Sequence, residues 1–112
     1  MGRRQTIEEV ARRVPLPVLE QWYHVQLEVA ARELNVSLTM LKKLCRQYGV
    51  SRWPHRQISS FDKSISTLEE KLRACRSYKE AQKLSTRMHA MREKRAVCIR
   101  ATSAGHRPSR MG

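Results

Sequence analysis

The chain has 112 residues, room for one compact domain and an extension but not for two full domains. Aromatic residues make up 5% and Phe61 is the only phenylalanine, so a small helical core fits but a deep catalytic cleft does not. A formal net charge of +13 and a pI near 10.7 call for a polyanionic partner, nucleic acid first and an anionic membrane surface second.

Glycine and proline are scarce while Leu, Ala, Glu, Lys, Arg and Gln abound, which favours helix nearly throughout. Cys45, Cys75 and Cys98 are scattered with no close pair, which suits a reducing compartment better than a disulfide framework. No apolar run is long enough for a signal peptide or a membrane span. Met1-Gly2-Arg3-Arg4-Gln5-Thr6 loosely fits an N-myristoylation pattern, and residues 1–5 read more simply as a flexible basic start.

A short helix is expected over 7–13, with Thr6 and Glu9 as a capping box and Arg12 and Arg13 in its last turn. Val14-Pro15-Leu16-Pro17 breaks it. The helical pattern resumes at Val18 and continues to Leu34, with apolar residues spread over more than one face, so part of it should be buried or kinked. Asn35 tolerates the left-handed conformation of a tight interhelical turn. Ser37 is a candidate N-cap for a helix over 38–48, and Gly49 closes that helix.

Ala31, Asn35, Val36, Leu41 and Leu44 meet the demands of a helix-turn-helix: a small crossing residue, a turn, an apolar plug and an inner face. Many helical hairpins share that pattern. The outer face of the second helix adds to it, because Thr39, Lys42, Lys43, Arg46 and Gln47 point away from the apolar stripe. No Asp or Glu occurs between Leu34 and Phe61. A solvated surface helix ordinarily mixes both signs, whereas cations and amides alone suit the groove of DNA. A plain helical hairpin with a basic face is the competing reading.

The run Leu41-Lys42-Lys43-Leu44-Cys45-Arg46-Gln47-Tyr48-Gly49-Val50-Ser51-Arg52-Trp53-Pro54-His55-Arg56-Gln57-Ile58 closely resembles the defining motif of the RWP-RK transcription factors of plants, green algae and some protists. Ala30-Ala31-Arg32-Glu33-Leu34 and Thr39 extend the resemblance to about residues 28–62. It implies a nuclear protein that binds specific double-stranded DNA sites. In that family the helix carrying Lys42, Lys43 and Arg46 is taken as the reader, with the Arg-Trp-Pro loop beside it. Two departures stand out. The family's closing Arg-Lys pair is Arg56-Gln57 here, and residues 18–26, with Trp22 and Tyr23, look like an insertion. An extra helical turn packing Trp22 on the core is expected there, with a partner surface as the alternative.

Residues 52–57 are expected to form an irregular loop held by Pro54. Trp53 either stacks on a base or folds back to lock the loop with Pro54, and the lock is preferred. Arg52, His55 and Arg56 would then meet DNA together with Ser37, Thr39, Lys42, Lys43, Arg46 and Gln47. No metal site is expected, since Cys45, His55, Cys75, His89 and Cys98 lack paired spacing, and neither a catalytic set nor a cofactor is indicated.

A long helix is expected from near Ser60 or Asp62 to about Arg100. Ile58, Phe61, Ile65, Leu68, Leu72 and Cys75 form an apolar stripe, Lys79 and Gln82 interrupt it, and Leu84, Met88, Met91 and Cys98 resume it in a shifted frame. Ile65, Leu68, Leu72 and Cys75 would be a seam for a homodimer or heterodimer, or would pack on the core. The basic stretch over 84–100 would touch the DNA backbone, serve nuclear import, or remain solvated. Residues 101–112 read as a disordered tail.

The expected fold is all-α: a small helix-turn-helix-like DNA-binding bundle over 6–61 and then a long helix over 62–100 with coiled-coil character. The expected function is sequence-specific DNA binding, with helix 38–48 in the major groove and the 52–56 loop on the backbone. No membrane or small-molecule partner is foreseen. The competing class is a basic helical adaptor that pairs with a partner helix and binds RNA or anionic surfaces nonspecifically.

Overall fold

The computed structural model describes residues 5–103. The expected basic start up to Arg4 and the tail from Ala104 onward lie outside the described residues. Among the described residues all regular structure is helical: α1 Ile7–Arg13, α2 Leu16–Glu20, α3 Leu27–Glu33, α4 Leu38–Gln47, α5 His55–Ala74 and α6 Tyr78–Thr102.

The local punctuation acts where sequence chemistry puts it. The Thr6 hydroxyl accepts from Glu9 N and the Glu9 carboxylate accepts from Thr6 N, a closed capping box on α1. Asn35, at φ 60°, turns the chain between α3 and α4, and the Ser37 hydroxyl accepts from Met40 N at 3.0 Å to start α4. Gly49, at φ 77°, ends α4 in the left-handed region, where a Cβ would be costly.

Three boundaries differ from expectation. Helix α2 begins inside the expected proline break, because Pro15 serves as its N-cap and Pro17 stands in the first turn, where no intrahelical N–H is needed. Helix α5 begins at His55, not near Ser60, since Pro54 occupies its N-cap position. The loop therefore closes before His55, and His55, Arg56 and Gln57 form the first turn of a helix. The long helix also breaks at residues 75–77. Cys75 is extended (φ −75°, ψ 140°), and the Ser77 hydroxyl accepts from Glu80 N to start α6 afresh. That helix runs through Thr102, so the expected tail begins as helix.

The first four helices and the start of α5 form a head around Val10, Val14, Leu19, Tyr23, Ala30, Ala31, Leu41, Leu44, Cys45, Tyr48, Val50 and Ile58. Two bonds lock its corners: Tyr48 OH donates to Val14 O at 2.8 Å, and Arg13 donates to Leu34 O at 2.8 Å. Within the supposed insertion Tyr23 is the buried aromatic, 1% exposed, while Trp22 packs half-buried against the core and stacks near His24. Helices α5 and α6 fold back on each other as an antiparallel hairpin with a second, smaller cluster of Leu68, Leu84 and Met88, flanked by Leu72 and Cys75. Cys98 and Ile99 bring the end of α6 back against the head.

Candidate nucleic-acid interface

Helix α4 is amphipathic in the sense its sequence requires. Leu41, Leu44 and Cys45 point into the head, and Tyr48 follows them just past the helix. Thr39, Lys42, Lys43, Arg46 and Gln47 are exposed, as is Ser37 at the cap. Ten residues at about 1.5 Å each give a rod of about 15 Å. A major groove about 12 Å wide admits such a rod.

This outer face is a ridge between two shallow clefts. On one side Lys43, Arg46 and Gln47 face Asn35 and the Gln5–Thr6 entry to α1. On the other, Lys42 and Arg46 share a cleft with Ser51 and Trp53. A neighbouring cleft that also contains Trp53 and Leu27 is lined by Arg52, His55, Arg56, Gln57 and Glu28. Helix α4 and the Arg-Trp-Pro loop thus border adjoining clefts that hold Lys42, Arg46, Arg52 and Arg56, with Glu28 among the lining residues. Arg52, Arg56 and Gln57 are exposed and His55 is half-buried. Nothing in the local sequence pattern of Gln5, Asn35 or Glu28 says which cleft each borders.

Trp53 Nε1 donates to Val25 O at 2.7 Å, and its ring meets Tyr23 edge to face at 5.1 Å. Pro54 is fully buried below it. Ser59 also donates to His24 O at 3.2 Å, so the 21–25 turn is held from the loop and from α5.

Three arginines of the hairpin have carboxylate partners. In the hairpin Arg92 pairs with Glu69 at 3.1 Å, Arg95 with Asp62 at 2.6 Å and Arg100 loosely with Glu93 at 4.0 Å. Among the described residues no carboxylate comes within ion-pair distance of Lys42, Lys43, Arg46, Arg52 or Arg56. Beneath this face, burial pushes the Cys45 thiol up to about 11, so it stays protonated and behaves as a core residue rather than a nucleophile. Burial also raises the Tyr48 phenol.

The expected seam residues lie elsewhere. Leu68, Leu72 and Cys75 meet Leu84 and Met88 of α6 within the same chain, while Ile65 is half-buried outside that cluster. Among the described residues no group of three or more His, Cys, Asp or Glu is arranged to hold a metal ion. No described helix is long and apolar enough to cross a membrane.

The RWP-RK domain family matches the chain over residues 5–102. Protein RKD3 of Arabidopsis thaliana is 36% identical over 72 residues, which is 64% of this chain and 26% of that protein. Protein RKD1 of the same plant is 41% identical over 61 residues, 54% of this chain and 23% of that protein. Protein NLP3 of Oryza sativa subsp. japonica is 42% identical over 57 residues, 51% of this chain and 6% of that protein. The chain therefore spans 26% or less of the length of these relatives. No solved structure matches it. The match covers nearly the whole chain, and the chain belongs to the RWP-RK domain family of DNA-binding transcription regulators.

Proposed function

We propose that this chain recognises specific double-stranded DNA sites in the nucleus, with α4 seated in the major groove and the start of α5 on the adjoining backbone. The observation that carries this reading is the unneutralised basic surface. Lys42, Lys43, Arg46, Arg52 and Arg56 lie on one face with no carboxylate paired to them, in a stretch that holds no Asp or Glu over residues 35–60. Keeping like charges together costs folding free energy unless a polyanion offsets it.

Roles follow from chemistry and position. Lys42, Lys43 and Arg46 reach guanine edges or phosphates, Gln47 reads an adenine, and Ser37 and Thr39 donate to the backbone near the start of α4. Arg52 and Arg56 clamp a phosphate beside the first turn of α5, which has no side-chain cap and no acidic residue. His55 lies half-buried beneath them. Trp53 and Pro54 hold the clamp in place rather than touch DNA.

Pairing through Ile65, Leu68, Leu72 and Cys75 would require α6 to leave that face, because three of the four already lie in the hairpin's own cluster. A dimer would then arise by exchange of α6 between chains or through a different surface.

Selection from a random duplex library at physiological salt tests the function. One enriched motif is expected, with affinity for it lost in Lys43→Ala and Arg46→Ala while the melting temperature holds. Loss of a base contact should cost about 1–3 kcal/mol. No enrichment at any salt would overturn the reading in favour of nonspecific binding by a basic adaptor.

A further inference from the structure

Beyond the packing of Cys98 and Ile99, one hydroxyl joins the end of α6 to the head. Ser103, the residue that closes α6, donates to Glu20 Oε2 at 2.7 Å. Its only proton is then used, so Tyr23 OH, 2.9 Å away, donates to Ser103 Oγ. Tyr23 is the buried ring of the 21–25 turn, and it meets Trp53 edge to face. Trp53 stands between Arg52 and Pro54 and lines two of the three clefts beside the exposed cations. A hydroxyl 50 residues downstream is thus linked, through two rings in contact, to the loop carrying the phosphate clamp.

We propose that Ser103 is a phosphorylation site, and that a phosphoryl group there unseats the end of α6 and weakens DNA binding; the last clause rests on the function proposed above. In the step itself Ser103 Oγ attacks the γ-phosphorus of ATP held by a protein kinase. The bond from that phosphorus to ADP breaks, ADP leaves and the hydroxyl proton is released. Arg100 stands three residues before Ser103, the placement that basic-directed kinases select, and its side chain is 66% exposed with only a loose partner. Ser59 also has an arginine three residues before it, Arg56, and also holds the 21–25 turn. It lies inside α5, however, where helical backbone does not enter the extended substrate cleft of a kinase. Ser103 sits at a helix end, where the chain unwinds at little cost.

Two features make the modified state incompatible with this seat. The phosphate brings a charge near −2 against the Glu20 carboxylate, which the unmodified hydroxyl touches at 2.7 Å. It also stands at the C-terminal end of α6, where the helix dipole is negative. Arg100 supplies one positive charge against these. Tyr23 loses its hydrogen-bond acceptor when Ser103 leaves, and the ring that backs Trp53 is loosened with it.

The test uses the full chain with phosphoserine placed at position 103 by codon reassignment. The readouts are hydrogen exchange over residues 22–25 without DNA and affinity for the selected duplex. Exchange is expected to accelerate, and affinity to fall about tenfold or more. Glu20→Gln should restore much of the affinity of the phosphorylated chain, since it removes the repelling charge but keeps a polar partner. Ser103→Ala, which removes the acceptor but adds no charge, should lose less affinity than the phosphorylated chain. A kinase selecting arginine at the third preceding position should label the chain, and Ser103→Ala should abolish labelling at that position. Unchanged exchange in the phosphorylated chain, or no labelling of Ser103, overturns the proposal. Failure of the unmodified chain to bind any duplex sinks the proposed function instead, and the exchange result still decides the unseating.

Discussion

In the head, residues from five helices and three connecting segments converge on one cluster, whereas in the hairpin two helices meet over Leu68, Leu84 and Met88. Twelve buried residues stand against three among the described residues, so the head holds most of the long-range apolar burial. The hairpin adds Arg92–Glu69 and Arg95–Asp62, partly exposed pairs of a kind worth at most about 1 kcal/mol each. The contrast assigns different work to each region. The head fixes α4 and the Arg52–Pro54 loop relative to each other, and the hairpin returns the end of α6 to the 20–25 segment.

The sharpest way to break that contrast is a matched pair of truncations. Leu44→Ala empties a site with 0% exposure at the centre of the head and should cost about 3–5 kcal/mol, enough to abolish cooperative melting and DNA binding together. Leu84→Ala removes a side chain that is 8% exposed at the edge of a three-residue cluster and should cost about 2 kcal/mol. Thermal melts followed by circular dichroism separate the two. Equal losses would mean that head and hairpin fold as one unit.

Trp53→Ala probes the joint between head and interface. It deletes the bond to Val25 O and the edge-to-face contact with Tyr23, for an expected loss of about 2–4 kcal/mol. Melting temperature and DNA affinity should fall together. If affinity falls while the melting temperature holds, Trp53 belongs on the DNA and not in the lock.

Alkaline pH distinguishes the regions by a third route. Burial raises the Cys45 thiol from 9.0 to about 11, and it raises the Tyr23 and Tyr48 phenols as well. All three sit in the head. A group whose folded pKa lies above its unfolded value contributes stability that is complete below the unfolded value. That contribution is lost as pH climbs through the folded value. The thiol's share should therefore fade between about pH 9 and 11, by an amount on the order of 2 kcal/mol. Melts of Cys45→Ala over this range should show a shallower decline than the unaltered chain; parallel curves would remove the thiol from the account.

How much could be read beforehand follows the same division. Thr6 with Glu9, Asn35, Ser37 and Gly49 act through bonds or dihedrals within a few residues, so the boundaries of α1 and α4 were legible. The exposed face of α4 was equally legible, because periodicity alone orients it. The hairpin was not, for a physical reason. The stripe from Ile58 to Cys75 asks for an apolar cover without saying whether another chain or the same chain supplies it. The decisive local signal was Ser77-Tyr78-Lys79-Glu80, which opens a new helix through the Ser77 hydroxyl, yet Lys79 and Gln82 read as a phase shift in a continuous one. Pro54 hid a helix start in the same way, since a proline before a helix and a proline in a loop look alike without the next turn. In the 21–25 turn there is no periodicity, so nothing local told that Tyr23 rather than Trp22 goes to the centre. The Ser103–Tyr23 bond spans 80 positions and leaves no local trace.

Gln57→Lys has the smallest expected effect and bears on the edge of the interface. Gln57 is exposed in the first turn of α5, beside Arg56 and across the cleft from Glu28. It stands where the RWP-RK pattern has lysine. A cation at a helix N-terminus is unfavourable by about 0.3–1 kcal/mol, so the variant should be slightly less stable than the parent. If position 57 meets a phosphate, the variant should nevertheless bind duplex more tightly at low salt. The slope of log affinity against log salt should steepen by about one unit. Lower stability with a steeper slope has no common cause in the free protein, since destabilisation alone weakens binding at every salt. An unchanged slope would turn residue 57 away from the DNA and confine the clamp to Arg52 and Arg56.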